Sequence, residues 1–198
     1  MKSVDNKIEE KLKREKPGSI FFVEDFLALG STTAVHTALH RLVKTKKLAR
    51  LARGIYAKLS FSKLLNKEVL PSAEEIALAI AKRDKARIIP TGAYAQNALG
   101  LSTQVPLKLV YLTDGSPRTI KIGKRSIQFK KTTPKTLALK GKISKLVIQA
   151  LKDIGKDNVT EQELKKIYSL LKQENKLNLK HDIALAPQWI AELMAKAL

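Results

Sequence analysis

The chain has 198 residues, 44% of them hydrophobic, which is enough for one or two domains with cores of their own. It contains no cysteine, which excludes disulfides, thiolate nucleophiles and cysteine-based zinc sites. No apolar run approaches the ~18–20 residues of a membrane span. Because the first residues also lack an apolar signal region, we expect a cytoplasmic protein.

The formal net charge of +20 favours polyanionic partners: nucleic acid first, and an anionic membrane surface second. The net charge is +7 over residues 1–58, +10 over 59–140 and +3 over 141–198. All eight arginines, the side chains best suited to bidentate contacts with phosphate and guanine, lie at or before Arg125. The sequence therefore places a polyanion-binding surface in the first two-thirds of the chain. A general lysine bias of the composition is the alternative source of part of this charge.

The first thirty residues are predicted to form two helices separated by a short apolar segment. Apolar residues at every fourth position indicate a helix over residues 4–14, which Pro17-Gly18 ends. Residues 20–23 are the apolar segment. Residues 24–29 are predicted to form a short second helix that ends at Gly30.

A third helix is predicted from Ser31, whose hydroxyl is a good N-cap, to about Lys46. Its apolar residues form one stripe, made of Val35, Ala38, Leu39, Leu42 and Val43. Its other face carries Thr32, Thr33, His36, Thr37, His40 and Lys44.

This polar face differs from an ordinary solvated helix surface, which would be rich in Glu and Lys. Its hydroxyls and imidazoles are short groups that can approach base edges and phosphates closely. No acidic residue occurs between Asp25 and Glu68, so the stretch does not repel phosphate. A helix, a tight turn at Gly30 and a polar, acid-free helix are typical of a helix-turn-helix, whose second helix reads the major groove.

A β-hairpin is predicted directly after this helix, with strands at 48–51 and 55–57 and a turn at 52–54. Arg50 and Arg53 lie near its tip, where they can contact the DNA backbone or enter the minor groove. A hairpin in this position is interpreted as a wing. The alternative is a three-helix core with a hairpin and no ligand.

Two other functions fit this segment less well. His36 and His40 have the i, i+4 spacing of a zinc site. However, the only other histidine is His181 and the acids are distant in sequence, so we expect no metal. A basic helix at a membrane surface needs large apolar residues beside its cations, whereas the apolar stripe here is expected to lie in the core.

Residues 59–106 predict further local elements. Leu59 to Pro71 is interpreted as a linker that could include a helical turn. Ser72-x-x-Glu75 is a capping box that opens a helix. A short buried strand is expected at 86–89, and a short helix at 93–99 closed by Gly100.

From residue 107 the pattern of apolar residues changes to period two. Strands at 107–113, 119–122 and 126–130, joined by turns, are interpreted as an antiparallel meander. Its outer face is strongly basic and carries Arg118, Lys121, Lys124, Arg125, Lys130 and Lys131.

Residues 141–198 are predicted to be helical. A first helix ends before Gly155, and a second begins at the capping box Thr160-x-x-Glu163. A last helix from Pro187 brings together Trp189, Ile190, Leu193, Met194 and Ala197. We expect these apolar stripes to pack in their own domain, although the last helix could also pack on a partner or a second copy.

Motifs of nucleotide-dependent enzymes are missing. Neither G-x-x-x-x-G-K-[ST] nor G-x-G-x-x-G occurs, so no nucleotide cofactor is expected. Glu74 and Glu75 point to different sides of a helix, and no acidic cluster suits two-metal nuclease chemistry. Counting does not exclude a Ser-His-acid triad, but His181 is the only histidine outside the predicted DNA-reading helix. We therefore expect no enzymatic activity and no cofactor.

Two stretches resemble a known family. The first is Ser31-Thr-Thr-Ala-Val-His-Thr-Ala-Leu-His-Arg-Leu-Val-Lys followed by residues 48–57 with Arg53-Gly54-Ile55-Tyr56. The second is residues 90–106, above all Gly92 to Pro106, followed by 110–115. Together they resemble the abortive-infection (AbiE-type) antitoxin family over roughly residues 1–135.

This resemblance implies a winged-helix N-terminus and the role of a type IV antitoxin. Members of that family repress their own operon through the winged helix. They counter a separately encoded nucleotidyltransferase-like toxin without a known stable complex.

The sequence thus predicts an α+β protein with a winged helix-turn-helix domain at 1–58 and a mixed domain at 59–198. The mixed domain is expected to hold a small antiparallel sheet at about 86–131 and a helical part at about 141–198. The predicted function is a sequence-specific transcriptional repressor, an autoregulating antitoxin. Its expected partners are double-stranded DNA of its own promoter and the toxin, with no membrane; the oligomeric state stays open.

The candidate DNA-contacting residues form two groups. Those expected in the major groove are Ser31, Thr32, Thr33, His36, Thr37 and His40. Those expected at phosphates and in the wing are Arg41, Lys44, Arg50 and Arg53. The alternative function is an RNA-binding module that uses the basic sheet, although its few aromatic residues do not form the interleaved stacking platform of common RNA readers.

Overall fold

The computed structural model describes residues 2–64 and 66–198 and shows an α+β protein. The helices of this part of the chain are α1 Val4–Arg14, α2 Thr32–Lys44, α3 Ala73–Arg83, α4 Ala93–Ala98, α5 Pro134–Leu137, α6 Lys142–Ile154, α7 Glu161–Leu171, α8 Lys176–Leu185 and α9 Gln188–Ala195. The strands are β1 Ile20–Phe22, β2 Ala49–Ala52, β3 Ile55–Ala57, β4 Ser60–Ser62, β5 Lys67–Val69, β6 Ile88–Thr91, β7 Lys108–Thr113, β8 Arg118–Ile122 and β9 Arg125–Lys131. Short 3₁₀ helices span Val23–Leu29 and Lys156–Asn158.

The chain divides into two compact units. The first consists of Met1–Ala79 and Lys121–Gly123, and the second of Ile80–Ile120 and Lys124–Leu198. Within the described residues, none of the helices has the length and apolar character needed to cross a bilayer.

The core of the first unit forms from the apolar stripes that the sequence predicts. Ile8 of α1, Phe26 of the 3₁₀ helix and Val35 and Leu39 of α2 are fully buried in one cluster. Burial of such a side chain contributes about 1.5–3 kcal/mol relative to leaving it in water. The predicted helix at 24–29 is the 3₁₀ helix, and the Asp25 carboxylate accepts the N–H of Phe22 at 2.7 Å at its start.

The predicted hairpin follows α2. Its strands β2 and β3 pair antiparallel, and Gly54 in the turn between them has the positive φ of +74° that tight hairpin turns favour. The register shifts between Arg50 and Ala52, as at a β-bulge, which increases the local twist of the strand. Strand β1 pairs with the other edge of β3, so this antiparallel sheet has the order β1-β3-β2.

Residues 59–71 do not form the predicted linker with a helical turn. Instead, β4 and β5 pair antiparallel, with Phe61 opposite Glu68. The described side chains of these two strands are half-buried or exposed, and Phe61 is 59% exposed. Because neither face of this strand pair lies in a core, the sequence has no apolar alternation that could have predicted it.

The predicted antiparallel meander is wrong in its strand pairing. The sheet has the order β6-β7-β9-β8, in which β7 pairs antiparallel with β6 but parallel with β9. The predicted alternation itself is present, since Leu109, Tyr111, Ile127 and Phe129 are buried. Alternation determines which face a side chain takes and leaves open which strand lies beside it. Insertion of β9 between β7 and β8 therefore leaves the sequence pattern unchanged.

The helical part of the second unit agrees with its prediction. Residues of α6, α7, α8 and α9 share one hydrophobic cluster, which includes Trp189, Ile190 and Met194 of the last helix. Thr160 and Glu163 form the predicted capping box: the Thr160 N–H donates to Glu163 Oε2 at 2.8 Å, and the Glu163 N–H to Thr160 Oγ1 at 3.3 Å. The last helix therefore packs on its own unit.

Candidate nucleic-acid interface

Helix α2 begins where the sequence predicts. Ser31 accepts a hydrogen bond from the N–H of Ala34 at 3.3 Å and is the N-cap. The apolar stripe of the helix is buried, with Val35 and Leu39 fully so. This burial fixes the rotation of α2, so the Thr- and His-bearing face points to solvent.

All ten predicted DNA-contacting side chains are exposed. They are Ser31, Thr32, Thr33, His36, Thr37, His40, Arg41, Lys44, Arg50 and Arg53. The first eight lie along α2 and its N-cap, and the last two lie on the β2–β3 hairpin of the same unit. They supply hydroxyl, imidazole and cationic groups, and none of them is a carboxylate. We call these ten residues the α2–hairpin surface.

The hydroxyl and imidazole groups of this surface are not equally free to contact a ligand. Thr37 Oγ1 donates to the carbonyl of Thr33 at 3.0 Å, so its proton is used within the helix. Ser31 is likewise used as the cap. Among the described residues, no hydrogen bond engages the side chains of Thr32, Thr33, His36 or His40. These four are therefore the best placed to donate to or accept from base edges.

Arg41 lies at the edge of the α2–hairpin surface and is paired within the protein. Its Nη1 lies 2.9 Å from Oδ2 of Asp5 on α1. The pair borders a cleft of about 440 Å³ between the start of α1 and the side of α2, which Ser3, Ser31 and Thr33 also line. Sequence reasoning missed Asp5, because nothing in the pattern relates two residues that are 36 positions apart.

Three lysines near the end of α2 have different surroundings. Lys47 pairs with Glu9 of α1 at 2.7 Å. Lys58 donates to the carbonyls of Leu12 and Glu15 at the end of α1, so it has a structural role. Lys46 is exposed, has a positive φ of 57° and makes no ion pair within residues 2–64 and 66–198. Lys46 is thus a further candidate for a phosphate contact, and the helix-ending Lys46-Lys47 pair was its signal in the sequence.

The basic strands of the second unit have fewer free groups for binding a nucleic acid than the sequence suggests. Arg118 lies over the ring of Phe129, 5.5 Å from its centroid, and donates to Asp84. Burial alone would raise the pKa of Asp84, but hydrogen bonds from Arg118 and Arg83 hold this pKa below its ordinary value. Tyr111 and Phe129 are buried, so their rings present no stacking surface. The remaining predicted cations of the second unit, Lys124, Arg125, Lys130 and Lys131, are exposed, as is Lys121, which belongs to the first unit.

A serine, a histidine and an acid do meet in the second unit, but in the wrong order for nucleophilic catalysis. The Asp182 carboxylate lies between them and accepts from Ser144 Oγ at 2.5 Å, while the Nδ1 atom of His181 lies 2.9 Å from it. A catalytic triad instead needs the histidine next to the serine hydroxyl. Ser144 and Asp182 are both fully buried, so the hydroxyl is also out of reach of a substrate.

This buried cluster stabilises the start of α6. Asp182 also accepts the N–H groups of Lys140 at 2.8 Å and of Gly141 at 2.9 Å. Burial alone would raise the pKa of Asp182, but hydrogen bonds from Ser144, His181 and these two amides hold this pKa below its ordinary value. The cluster is therefore a structural feature in which a carboxylate satisfies backbone donors before and at the helix start.

His36 and His40 lie four residues apart on α2. Within the residues that the structure describes, no three His, Cys, Asp or Glu side chains are grouped so that they could hold a metal ion. His36 and His40 remain exposed side chains on the α2–hairpin surface.

The chain belongs to a family of unknown function, DUF6088, whose model matches residues 7–179. Among curated proteins, none matches the sequence. The fold is similar to the crystal structure of RV2827C protein from Mycobacterium tuberculosis, at 14% sequence identity and a TM-score of 0.48. That similarity covers 98% of this chain and 81% of the mycobacterial chain.

Proposed function

We propose that this DUF6088 member is a sequence-specific, DNA-binding transcriptional repressor. In this proposal the first unit is a winged helix-turn-helix, α2 is the recognition helix and the β2–β3 hairpin is the wing. The observation that carries the proposal is the α2–hairpin surface: ten exposed polar or cationic side chains from one helix and the hairpin after it, without an acidic residue among them.

The arrangement of elements supports a winged helix. A short helical segment precedes α2, with only Gly30 and Ser31 between them, as in a helix-turn-helix. The hairpin follows α2 directly, and β1 joins it as the third strand of the sheet. In this geometry the exposed face of α2 can enter a major groove while the hairpin tip lies along the neighbouring backbone.

The chemistry of the surface supports duplex DNA as its ligand. Thr33, His36 and His40 offer short side chains that no other described residue hydrogen-bonds, which suits contacts with base edges. Lys44 and Arg53 offer exposed cations, which suits contacts with phosphates on either side of the groove. The lack of any acid between Asp25 and Glu68 means that no carboxylate from this stretch opposes the phosphates.

The antitoxin role rests on the resemblance of residues 31–57 and 90–115 to AbiE-type antitoxins. Under this proposal the first unit represses the protein's own operon. The second unit then counters a nucleotidyltransferase-like toxin encoded beside it, without a stable complex. The separate hydrophobic cluster of the second unit is consistent with a function that does not depend on the DNA-binding surface.

The proposal is tested with full-length protein and fluorescence anisotropy. A labelled duplex from the DNA upstream of the protein's own coding sequence is compared with a scrambled duplex of equal length and composition. We expect the upstream duplex to bind about 10³-fold or more tightly than the scrambled one at physiological salt. Lys44→Ala should weaken binding, whereas the matched variant Lys142→Ala, at an exposed lysine of α6, should not.

Equal affinity for the two duplexes would contradict a sequence-specific repressor. The RNA-binding alternative has its own outcome in the same assay. It predicts that single-stranded RNA of the upstream sequence binds more tightly than either duplex, and that Lys130→Ala weakens binding more than Lys44→Ala does.

A further inference from the structure

The helical part of the second unit contains a small pocket of about 170 Å³. Its walls come from α5, from α6 and from the connection between α8 and α9. Leu139, Ile148 and Pro187 supply apolar surface, and Lys135, Thr136 and Lys152 supply polar groups. The pocket is distinct from the α2–hairpin surface, which lies in the other unit.

Both charged residues of the pocket are cations. Lys135 lies on α5 and Lys152 on α6, and none of the residues that line the pocket is acidic. Neither lysine makes an ion pair within the described part of the chain. The acid next to Lys152 in sequence, Asp153, accepts a hydrogen bond from Gln96 Nε2 at 2.8 Å. Two lysines that make no ion pair among the described residues therefore line the same small volume.

The two ammonium groups repel one another across the pocket. Lys135 and Lys152 are both exposed, but desolvation by the protein around Lys152 still lowers the pKa of its ammonium group below the ordinary value, and the charge of Lys135 lowers it further. An anion placed between the two would remove this repulsion. The surroundings of the lysines thus favour a negatively charged occupant over a neutral or cationic one.

We propose that this pocket binds a small organic anion, with a carboxylate or phosphate headgroup between Lys135 and Lys152 and an apolar body against Leu139, Ile148 and Pro187. The volume sets the size of the ligand, because an apolar cavity of about 150 Å³ in another protein holds benzene. A single ring or a short branched chain therefore fits.

The test uses the full chain and isothermal titration with four probes of known chemistry. Benzoate and phenyl phosphate carry the two headgroups on one ring, benzyl alcohol keeps the ring without the charge, and inorganic phosphate keeps the charge without the ring. We expect saturable binding of benzoate or phenyl phosphate, at least tenfold tighter than that of benzyl alcohol or inorganic phosphate. Whichever ring anion binds more tightly identifies the headgroup.

Three variants locate the binding. Lys135→Met and Lys152→Met should each reduce the affinity for the more tightly bound ring anion at least fivefold. Lys142→Met, at an exposed lysine of the same helix as Lys152, should leave it unchanged. Three results would each overturn the proposal: neither ring anion binds, inorganic phosphate binds as tightly as phenyl phosphate, or Lys142→Met weakens binding as much as Lys152→Met. None of these results depends on whether the protein binds DNA.

Discussion

Asp5 of α1 and Arg41 of α2 form an ion pair, 2.9 Å long, at the cleft between the start of α1 and the side of α2. An exposed pair of this kind contributes only about 0–1 kcal/mol to folding. Its larger effect is on an approaching anion, because Asp5 neutralises Arg41 and places a carboxylate at the edge of the α2–hairpin surface. Under the proposed function, this pair lowers the affinity for DNA of any sequence.

We expect Asp5→Asn to increase the affinity for both the upstream and the scrambled duplex. The substitution frees Arg41 for a phosphate, so the slope of log K against log salt should steepen by about one unit. Anisotropy titrations at four or five salt concentrations measure this slope directly. The discrimination between the two duplexes should stay the same, since no base contact changes.

Glu10→Gln is the matched control for Asp5→Asn. Glu10 also lies on α1 and pairs with Lys2 at 2.6 Å, so the substitution changes the net charge equally. We expect a smaller change of the salt slope. If Glu10→Gln and Asp5→Asn have equal effects, the net charge alone is responsible and the Arg41 pair has no special role.

The same assay should distinguish residues that read bases from residues that contact phosphates, because substitutions of the two kinds have different effects. Thr33→Ala and His36→Ala remove side chains proposed to touch base edges, so each should reduce the discrimination between the two duplexes by about 1–3 kcal/mol. Lys44→Ala and Arg53→Ala should weaken binding to all sequences and reduce the salt slope by about one unit each. If Arg53→Ala changes sequence preference more than His36→Ala does, the hairpin is the reading element.

The proposed wing, the β2–β3 hairpin, can be tested through its turn. Gly54 has a φ of +74°, which a residue with a side chain adopts at a cost of about 1–2 kcal/mol, so Gly54→Ala should distort the hairpin tip and weaken DNA binding. Gly123→Ala is the control, because Gly123 has a φ of +56° and a Cβ there would meet no atom within 4 Å. Both variants should lower the thermal unfolding midpoint, but only Gly54→Ala should reduce DNA affinity. Equal DNA affinities for the two variants would contradict a role of the wing.

The structure shows which parts of the fold short-range sequence patterns determine. The caps at Ser31 and Thr160 were predictable because a hydroxyl and an N–H three residues later are enough to form them. The outward face of α2 was also predictable, since a stripe with helical periodicity determines which residues are buried. The pairing of β7 with β9 was not, because a strand's alternation does not identify its neighbour.

Long-range polar contacts could not be predicted from the sequence either. Asp182 looks like an ordinary helix-surface acid in the sequence, yet it is fully buried against Ser144. Asp5 is likewise an ordinary first-turn acid whose partner on α2 only the fold reveals. The residues of the candidate site that lie on one helix face could therefore be predicted from the sequence. The residues that pair with their charges, such as Asp5, could not.

The buried carboxylate at the start of α6 gives a pH-dependent prediction. Hydrogen bonds hold the pKa of Asp182 below its ordinary value, so its stabilising effect is complete above the unfolded-state pKa and is lost as the pH falls through the folded-state pKa. Asp182→Asn should lower the free energy of unfolding by about 1–3 kcal/mol at pH 7, because Asn cannot accept all of the same hydrogen bonds. The difference from wild type should shrink below about pH 4, where the unfolded-state carboxyl becomes protonated.

Fluorescence of Trp189 reports this transition, since it is the chain's single tryptophan and packs against the helical cluster. Urea titrations at pH 7 and at acid pH give the two free energies of unfolding. Asp157→Asn, at an exposed acid of the same unit, should show no comparable effect at either pH. A penalty for Asp182→Asn that stays constant from pH 7 to pH 3 would mean that the charge of Asp182 contributes nothing.

The last prediction separates the two proposed activities within the intact chain. The double variant Lys44→Ala, Arg53→Ala changes only exposed side chains of the first unit. Under the proposed function it should lose repression of a promoter reporter and still rescue growth against the proposed nucleotidyltransferase-like toxin. Conversely, Lys130→Glu, Lys131→Glu reverses two exposed charges of the second unit and should repress normally. Loss of rescue in this variant would place neutralisation on the basic strand β9, where the charges could compete for the toxin's RNA or nucleotide. If both variants lose rescue together with repression, neutralisation depends on repression alone and the second unit is not an independent antitoxin.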